Sequence, residues 1–150
     1  MKFAQLHAGQ IFETGTATLN EAEIVAFARD YDPQWFHTDA ERAQRGPFGG
    51  LIASGWQTCG IAMRLAAQAV LDGSESFASP GLEQLRWPAP VRAGDVLRLR
   101  IEVLETRRSA SRAALGILRW RWRLINQRDE LVLDLVATSL FDLSGRLPPP

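Results

Sequence analysis

Between Trp56 and Leu71 the chain carries a single charged side chain, Arg64. Cys59, Ile61, Ala62, Met63, Leu65, Ala66, Val70 and Leu71 spread apolar surface around nearly every face of the helix that this stretch predicts. A helix that is apolar all round is buried on most sides. At ~1.5 Å per residue it is about 25 Å long, a length that one sheet can wrap. The remainder of the chain has to supply that wrapper.

The second half reads as strand after strand. Leu82–Val91 leads to a turn at Ala93-Gly94-Asp95. Val96–Val103 alternates, with Leu97, Leu99, Ile101 and Val103 on one face. Ala113–Ile125 and Leu131–Phe141 follow, separated by polar turns at Arg107–Ser111 and Asn126–Asp129. Short turns between long alternating runs indicate antiparallel pairing. In Arg119-Trp120-Arg121-Trp122-Arg123 a period of two puts the tryptophans with Leu118 and Leu124 on a packed face. The arginines fall on a wet one.

Before the long helix, Ile11–Leu19 is a Thr-rich strand, and Asn20-Glu21-Ala22-Glu23 is a capping box. It starts a helix whose apolar face is Ile24, Val25, Phe27, Ala28 and Tyr31. Asp32-Pro33 stops it, because proline pushes its predecessor out of the α region. Thr38-Asp39-Ala40-Glu41 resembles a second box, opening a short helix that Gly46-Pro47 ends. Ser54-Gly55-Trp56-Gln57 is a third, with the Ser54 hydroxyl expected on the Gln57 N–H. Long strands and one buried helix predict an α+β domain, a single unit over 1–143, with 144–150 as a disordered tail.

At 150 residues, 46% of them hydrophobic, the chain can bury one sizeable core. Seventeen basic residues balance seventeen acidic ones, which leaves no field favouring nucleic acid or anionic membranes. Cys59 is the lone cysteine and there are two histidines, so no disulfide or zinc constellation is expected. No apolar run approaches a membrane span, and the expected location is the cytoplasm. His7 reads as a surface residue.

Asp32 and His37 carry the chemistry. They place a carboxylate and an imidazole five residues apart, just past a helix. The helix dipole disfavours an anion there by ~0.3–1 kcal/mol, so a structural aspartate belongs more naturally at an N-cap. General acid–base help works only within hydrogen-bond reach, which such a turn can provide. The Gly55 N–H, at the first position of the buried helix, has no intrahelical partner and suits an oxyanion. Glycine also lets a ligand approach the backbone closely, although shaping a tight helix–sheet contact would serve equally well.

These features together resemble the MaoC-like dehydratases and (R)-specific enoyl-CoA hydratases, which have the hotdog fold. The resemblance rests on three segments in order. They are Asp32-x4-His37, Phe48-Gly-Gly-Leu-Ile-Ala-Ser-Gly55 opening the central helix, and Trp87-Pro-Ala-Pro-Val-Arg-Ala-Gly-Asp95 in the sheet. Many members have His before the helix-opening glycine, where this chain has Ser54. Many also have Asn-Pro within the Asp-x4-His segment, where it has Gln34-Trp35.

The resemblance implies syn addition of water to a 2-enoyl-CoA, giving an (R)-3-hydroxyacyl-CoA, or the reverse. Asp32 and His37 would be catalytic, and Gly55 the thioester-oxygen donor. Trp35, Phe36, Phe48, Ser54 and Trp56 would lie about the acyl pocket. No cofactor is implied beyond the coenzyme A of the substrate, and no metal. A homodimer or dimer of dimers is, with the site between protomers. Two other readings stay open. A hotdog thioesterase would need an acid on the central helix or its approach, and Trp56–Leu71 has none. A non-catalytic acyl-CoA-binding protein would leave Asp32, His37 and Gly55 idle.

Overall fold

The computed structural model describes residues 1–146. Five strands form one antiparallel sheet: β1 (Ile11–Thr18), β2 (Ser76–Arg86), β3 (Val96–Arg108), β4 (Leu115–Ile125) and β5 (Leu131–Asp142). Their order across the sheet is β1-β3-β4-β5-β2. The helices are α1 (Glu21–Tyr31), the single turns α2 (Trp35–Thr38) and α3 (Ala40–Gln44), and α4 (Gly55–Ala66). A π-helical turn, Ala67–Leu71, prolongs α4. This α+β arrangement, with one long helix against a curved antiparallel sheet, is the hotdog fold.

Alternation builds the core. Leu97, Leu99, Ile101 and Val103 of β3 are at most 1% exposed, and Leu118, Trp120, Trp122 and Leu124 of β4 at most 4%. They meet Ile61, Ala62, Leu65, Ala66 and Val70 from the helix. On the opposite face Arg119, Arg121 and Arg123 pair with Glu83, Asp134 and Glu102. That face points away from the helix, and its arginines are already engaged by carboxylates.

Several expectations need correction. The long helix is buried on one side only: Met63 is 45% and Trp56 57% exposed, alongside the exposed Phe77 and Leu82 of β2. Its apolar far stripe is therefore surface in one copy of the chain. β2 begins six residues before the expected Leu82 and ends at Arg86. Pro80-Gly81 lies within this edge strand, where proline is tolerated. The pairing of β2 with β5 shifts register there, and Gly81 has φ +148°. Conversely, Trp87–Val91 is a loop, its two prolines having no N–H to give to a ladder.

Helix α1 has the expected Asn20–Glu23 capping box. Tyr31, expected on its buried face, is exposed, its ring tilted against that of Phe27. The cap of α3 is Asp39, because Thr38 still belongs to α2. Of the expected tail, Ser144 and Arg146 make local turn hydrogen bonds; residues 147–150 lie outside the described residues.

Candidate active site

Proline creates the first half of the site. Pro33 ends α1, leaving Asp32 as its C-cap at φ −153°, ψ 68°. The Gln34 carbonyl accepts from the His37 N–H, and the single turn α2 folds His37 back toward Asp32. The two side chains meet with His37 Nε2 3.2 Å from Asp32 Oδ2. His37 is 4% exposed and Phe36 packs edge-on against its ring.

The second half is the extended run Leu51–Ser54, in which every residue is buried. The Ile52 N–H donates to Phe36 O and the Ala53 N–H to Val91 O, so this run ties the histidine turn to the Trp87–Val91 loop. The Ile52 carbonyl, 2.7 Å from His37 Nδ1, can only accept. Nδ1 therefore carries a hydrogen, and Nε2 is the nitrogen left to exchange a proton with Asp32.

Both oxygens of Asp32 are held. Gln34 Nε2 donates to Oδ1 at 2.8 Å, and the Ser54 hydroxyl donates to Oδ2 at 2.7 Å. Burial acts to raise the carboxyl pKa. The donations from Ser54 and Gln34 and the adjacent His37 outweigh it, holding Asp32 below the usual carboxylate value. Asp32 is thus kept ionised.

Gly55 opens α4 beside this pair. Among the described residues its N–H has no hydrogen-bond partner, and it lines the same cleft as Asp32 and His37. The cleft has a volume of about 420 Å³ and is walled by Ile52, Ala53, Trp56, Phe48 and the Trp87–Val91 loop. A carboxylate–imidazole pair and a free N–H on one cavity can move a proton beside a carbonyl whose oxygen they stabilise.

The expected residues divide accordingly. Asp32, His37, Gly55, Phe48 and Trp56 line the cleft; Trp35, Phe36 and Ser54 do not. Trp35 fills the space over Gly46, where a Cβ would lie 2.6 Å from its ring, and Arg42 stacks on its face. Phe36 stands behind the histidine, bridging Trp35 and Phe48. Ser54 is fully buried, behind Asp32. Its oxygen caps the Trp56 N–H at 3.3 Å in place of the expected Gln57 N–H, while the Gln57 side chain donates to Glu23 O. The wall formed by Trp87, Pro88 and Pro90 escaped a reading that made this stretch a strand. Its pair of prolines was the available signal.

Residues 3–116, which include every one of these side chains, match the family model described as "MaoC like domain". The chain belongs to the MaoC-like domain family. It is 33% identical over 134 residues to the uncharacterized protein YdeM of Bacillus subtilis, covering 89% of this chain and 94% of that one. It is 36% identical over 91 residues to the 3-hydroxyacyl-thioester dehydratase Z of Mycobacterium tuberculosis, spanning 59% of this chain and 60% of the other.

Among solved structures, this MaoC-like chain superposes on the MaoC-like dehydratase from Rhodospirillum rubrum with a TM-score of 0.86. Identity there is 37%, over 97% of both chains. For the unliganded R-hydratase PhaJ1 of Pseudomonas aeruginosa the TM-score is 0.75 and identity 26%, over 99% of this chain and 94% of that one. Among the described residues, no cluster of three or more His, Cys, Asp or Glu could hold a metal, and no helix is long and apolar enough to cross a membrane.

Proposed function

We propose that this MaoC-like protein hydrates 2-enoyl-CoA thioesters to (R)-3-hydroxyacyl-CoA, or catalyses the reverse dehydration. The observation that carries the reading is the contact of Asp32 Oδ2 with His37 Nε2 in the cleft that also exposes the unpartnered Gly55 N–H. The relatives named as a thioester dehydratase and an R-hydratase support the same class.

In the hydration direction the resting pair is Asp32 carboxylate with His37 imidazolium. A water held at Asp32 loses a proton to the carboxylate as its oxygen bonds to the β-carbon. The electron pair of the double bond moves to the α-carbon and, through the carbonyl, to the thioester oxygen, which the Gly55 N–H receives. Nε2 of His37 then delivers its proton to the α-carbon. Both transfers come from one side of the substrate plane, which makes the addition syn. Asp32 is left protonated and His37 neutral, and return of one proton across the pair restores the start. Nδ1, tied to Ile52 O, keeps its own proton throughout, so that Nε2 alone exchanges one.

The same reading places two copies together. The exposed Leu82 of edge strand β2 lines one groove with the exposed Trp56 and Met63 of α4. An unpaired edge beside an apolar surface is a feature that a second copy covers. A homodimer of this kind would seat coenzyme A near the junction.

The test is the purified protein with crotonyl-CoA and longer or branched enoyl-CoAs, scored for loss of enoyl absorbance and for free thiol. Loss of absorbance without thiol is expected. Thiol release without hydration would assign a thioesterase, and silence across the panel a binding protein.

A further inference from the structure

We infer that Ser54 is the positioning residue of the Asp32 base: its buried hydroxyl turns the carboxylate toward His37. The inference rests on the acid–base role proposed for Asp32. Ser54 was expected in an acyl pocket, yet it does not touch the cleft at all. It is 0% exposed, and its Oγ lies 2.7 Å from Asp32 Oδ2, 22 residues away in sequence.

The direction of this hydrogen bond is forced. The backbone N–H of Trp56 is a donor, so Ser54 Oγ accepts there; its single proton is then free for Asp32, which as a carboxylate only accepts. The two distances also rank the roles. A contact of 2.7 Å suits a hydroxyl donating to a charged oxygen, while 3.3 Å is long for an N–H···O bond. Ser54 serves the carboxylate first and the helix cap second.

Oδ2 then has two partners, Ser54 and His37, arriving from different segments. Two fixed donors on one oxygen leave the carboxylate little freedom to rotate. The other oxygen is held by Gln34, an exposed side chain that water can replace. Ser54 is shielded and cannot be substituted in that way. Among the described residues His37 is the charged group that acts on Asp32, so the hydroxyl adds to a simple electrostatic environment.

The inference makes a prediction that a merely structural cap does not. In Ser54→Ala the carboxylate loses a donor, its charged form is less favoured, and the Asp32 pKa rises by about one unit. Carbon-13 NMR titration of the Asp32 carboxyl reads this without any substrate. On crotonyl-CoA, the acid limb of kcat should move up by a similar amount, with kcat falling roughly tenfold and KM little changed. Ser54→Cys, similar in size but a weak donor, should fall between; it also serves if the alanine variant does not fold. An Asp32 pKa unmoved in the folded variants would overturn the inference, whatever happened to Tm. Inactivity of the wild-type protein on every enoyl-CoA would instead reject the hydratase reading, and the titration would still decide whether Ser54 governs the carboxylate.

Discussion

A Cβ placed on Gly55 would lie 2.5 Å from Cε2 of Trp87 and 2.8 Å from Cδ2 and Cζ2 of the same indole. The space in front of this glycine is thus occupied by protein. Trp87 in turn packs edge-on to Trp56, with ring centroids 5.6 Å apart. Of the two reasons for a glycine at the helix opening, close packing is the one with atoms attached to it. The N–H beside it is left free as a consequence of standing first in the helix.

Gly55→Ala should therefore act through the tryptophan. Overpacking of this kind costs ~1–3 kcal/mol, less if the half-exposed indole swings away. The double variant Gly55→Ala, Trp87→Ala should be less destabilised than the sum of its single changes, by about 0.5 kcal/mol or more. Urea unfolding of the four proteins measures that coupling. Strict additivity would show that Trp87 is not what excludes a side chain at Gly55.

Asp32→Asn and His37→Gln should each lower turnover of a hydratable enoyl-CoA by about 10²-fold or more while leaving the protein folded. Asparagine keeps the size of Asp32 and an acceptor for Ser54 but removes the base. Glutamine at His37 removes the proton carrier. The wild-type rate should fall on the acid side only below the usual carboxylate range, because the Asp32 pKa is lowered. Normal rates in both variants, with circular dichroism unchanged, would remove these residues from the mechanism.

The contact between Asp32 and His37 was legible for a local reason. Asp-Pro ends a helix wherever it occurs, and five residues suffice for a turn to bring His37 back, so one short segment encodes the pair. The Val96–Ile125 alternation was equally plain, since each strand has a dry and a wet face. What escaped was set by distant partners. Ser54 looked like a cap for Gln57, and only the approach of Asp32 from 22 residues away gives its hydroxyl another task. Trp35 looked like a pocket aromatic, and its place over Gly46 follows from how α2 and α3 pack. Pro80-Gly81 broke the pattern of β2 because an edge strand, paired on one side alone, tolerates irregularities that an inner strand would not.

Arg121 and Asp134, on the outer face, give a pH dependence that is separate from catalysis. Arg121 donates to Asp134 through Nε at 2.8 Å and through a second guanidinium nitrogen, a bidentate pair across β4 and β5. The Arg121 hydrogen bonds outweigh burial and hold the Asp134 carboxyl below its ordinary value. A folded-state pKa below the unfolded one means that the stabilisation is present above the unfolded value of 3.8 and is lost as pH falls through the folded value. Because Arg121 is about a third exposed, solvent screening limits the effect. Asp134→Asn should cost ~1 kcal/mol at pH 7, and its deficit relative to wild type should shrink below about pH 4. Urea midpoints across pH 3–7 test this; a deficit independent of pH would show that packing, not charge, is what asparagine disturbs.

The uncovered stripe of α4 leads to the last prediction. Trp56 and Met63 are 57% and 45% exposed, and Phe77 and Leu82 of β2 are 52% and 46% exposed. Trp56, Met63 and Leu82 line one groove, and a shared apolar patch of this kind marks a surface that another molecule covers. If a second copy covers them, a charge placed there has to be desolvated within the interface, at a cost of several kcal/mol. Leu82→Glu should then shift the protein from dimer to monomer in light scattering at micromolar concentration. Arg112→Glu, on the exposed turn before β4, should leave the mass unchanged. A wild-type protein that is already monomeric at high concentration would mean that the stripe has another occupant, and with it the dimeric placement of coenzyme A would fall.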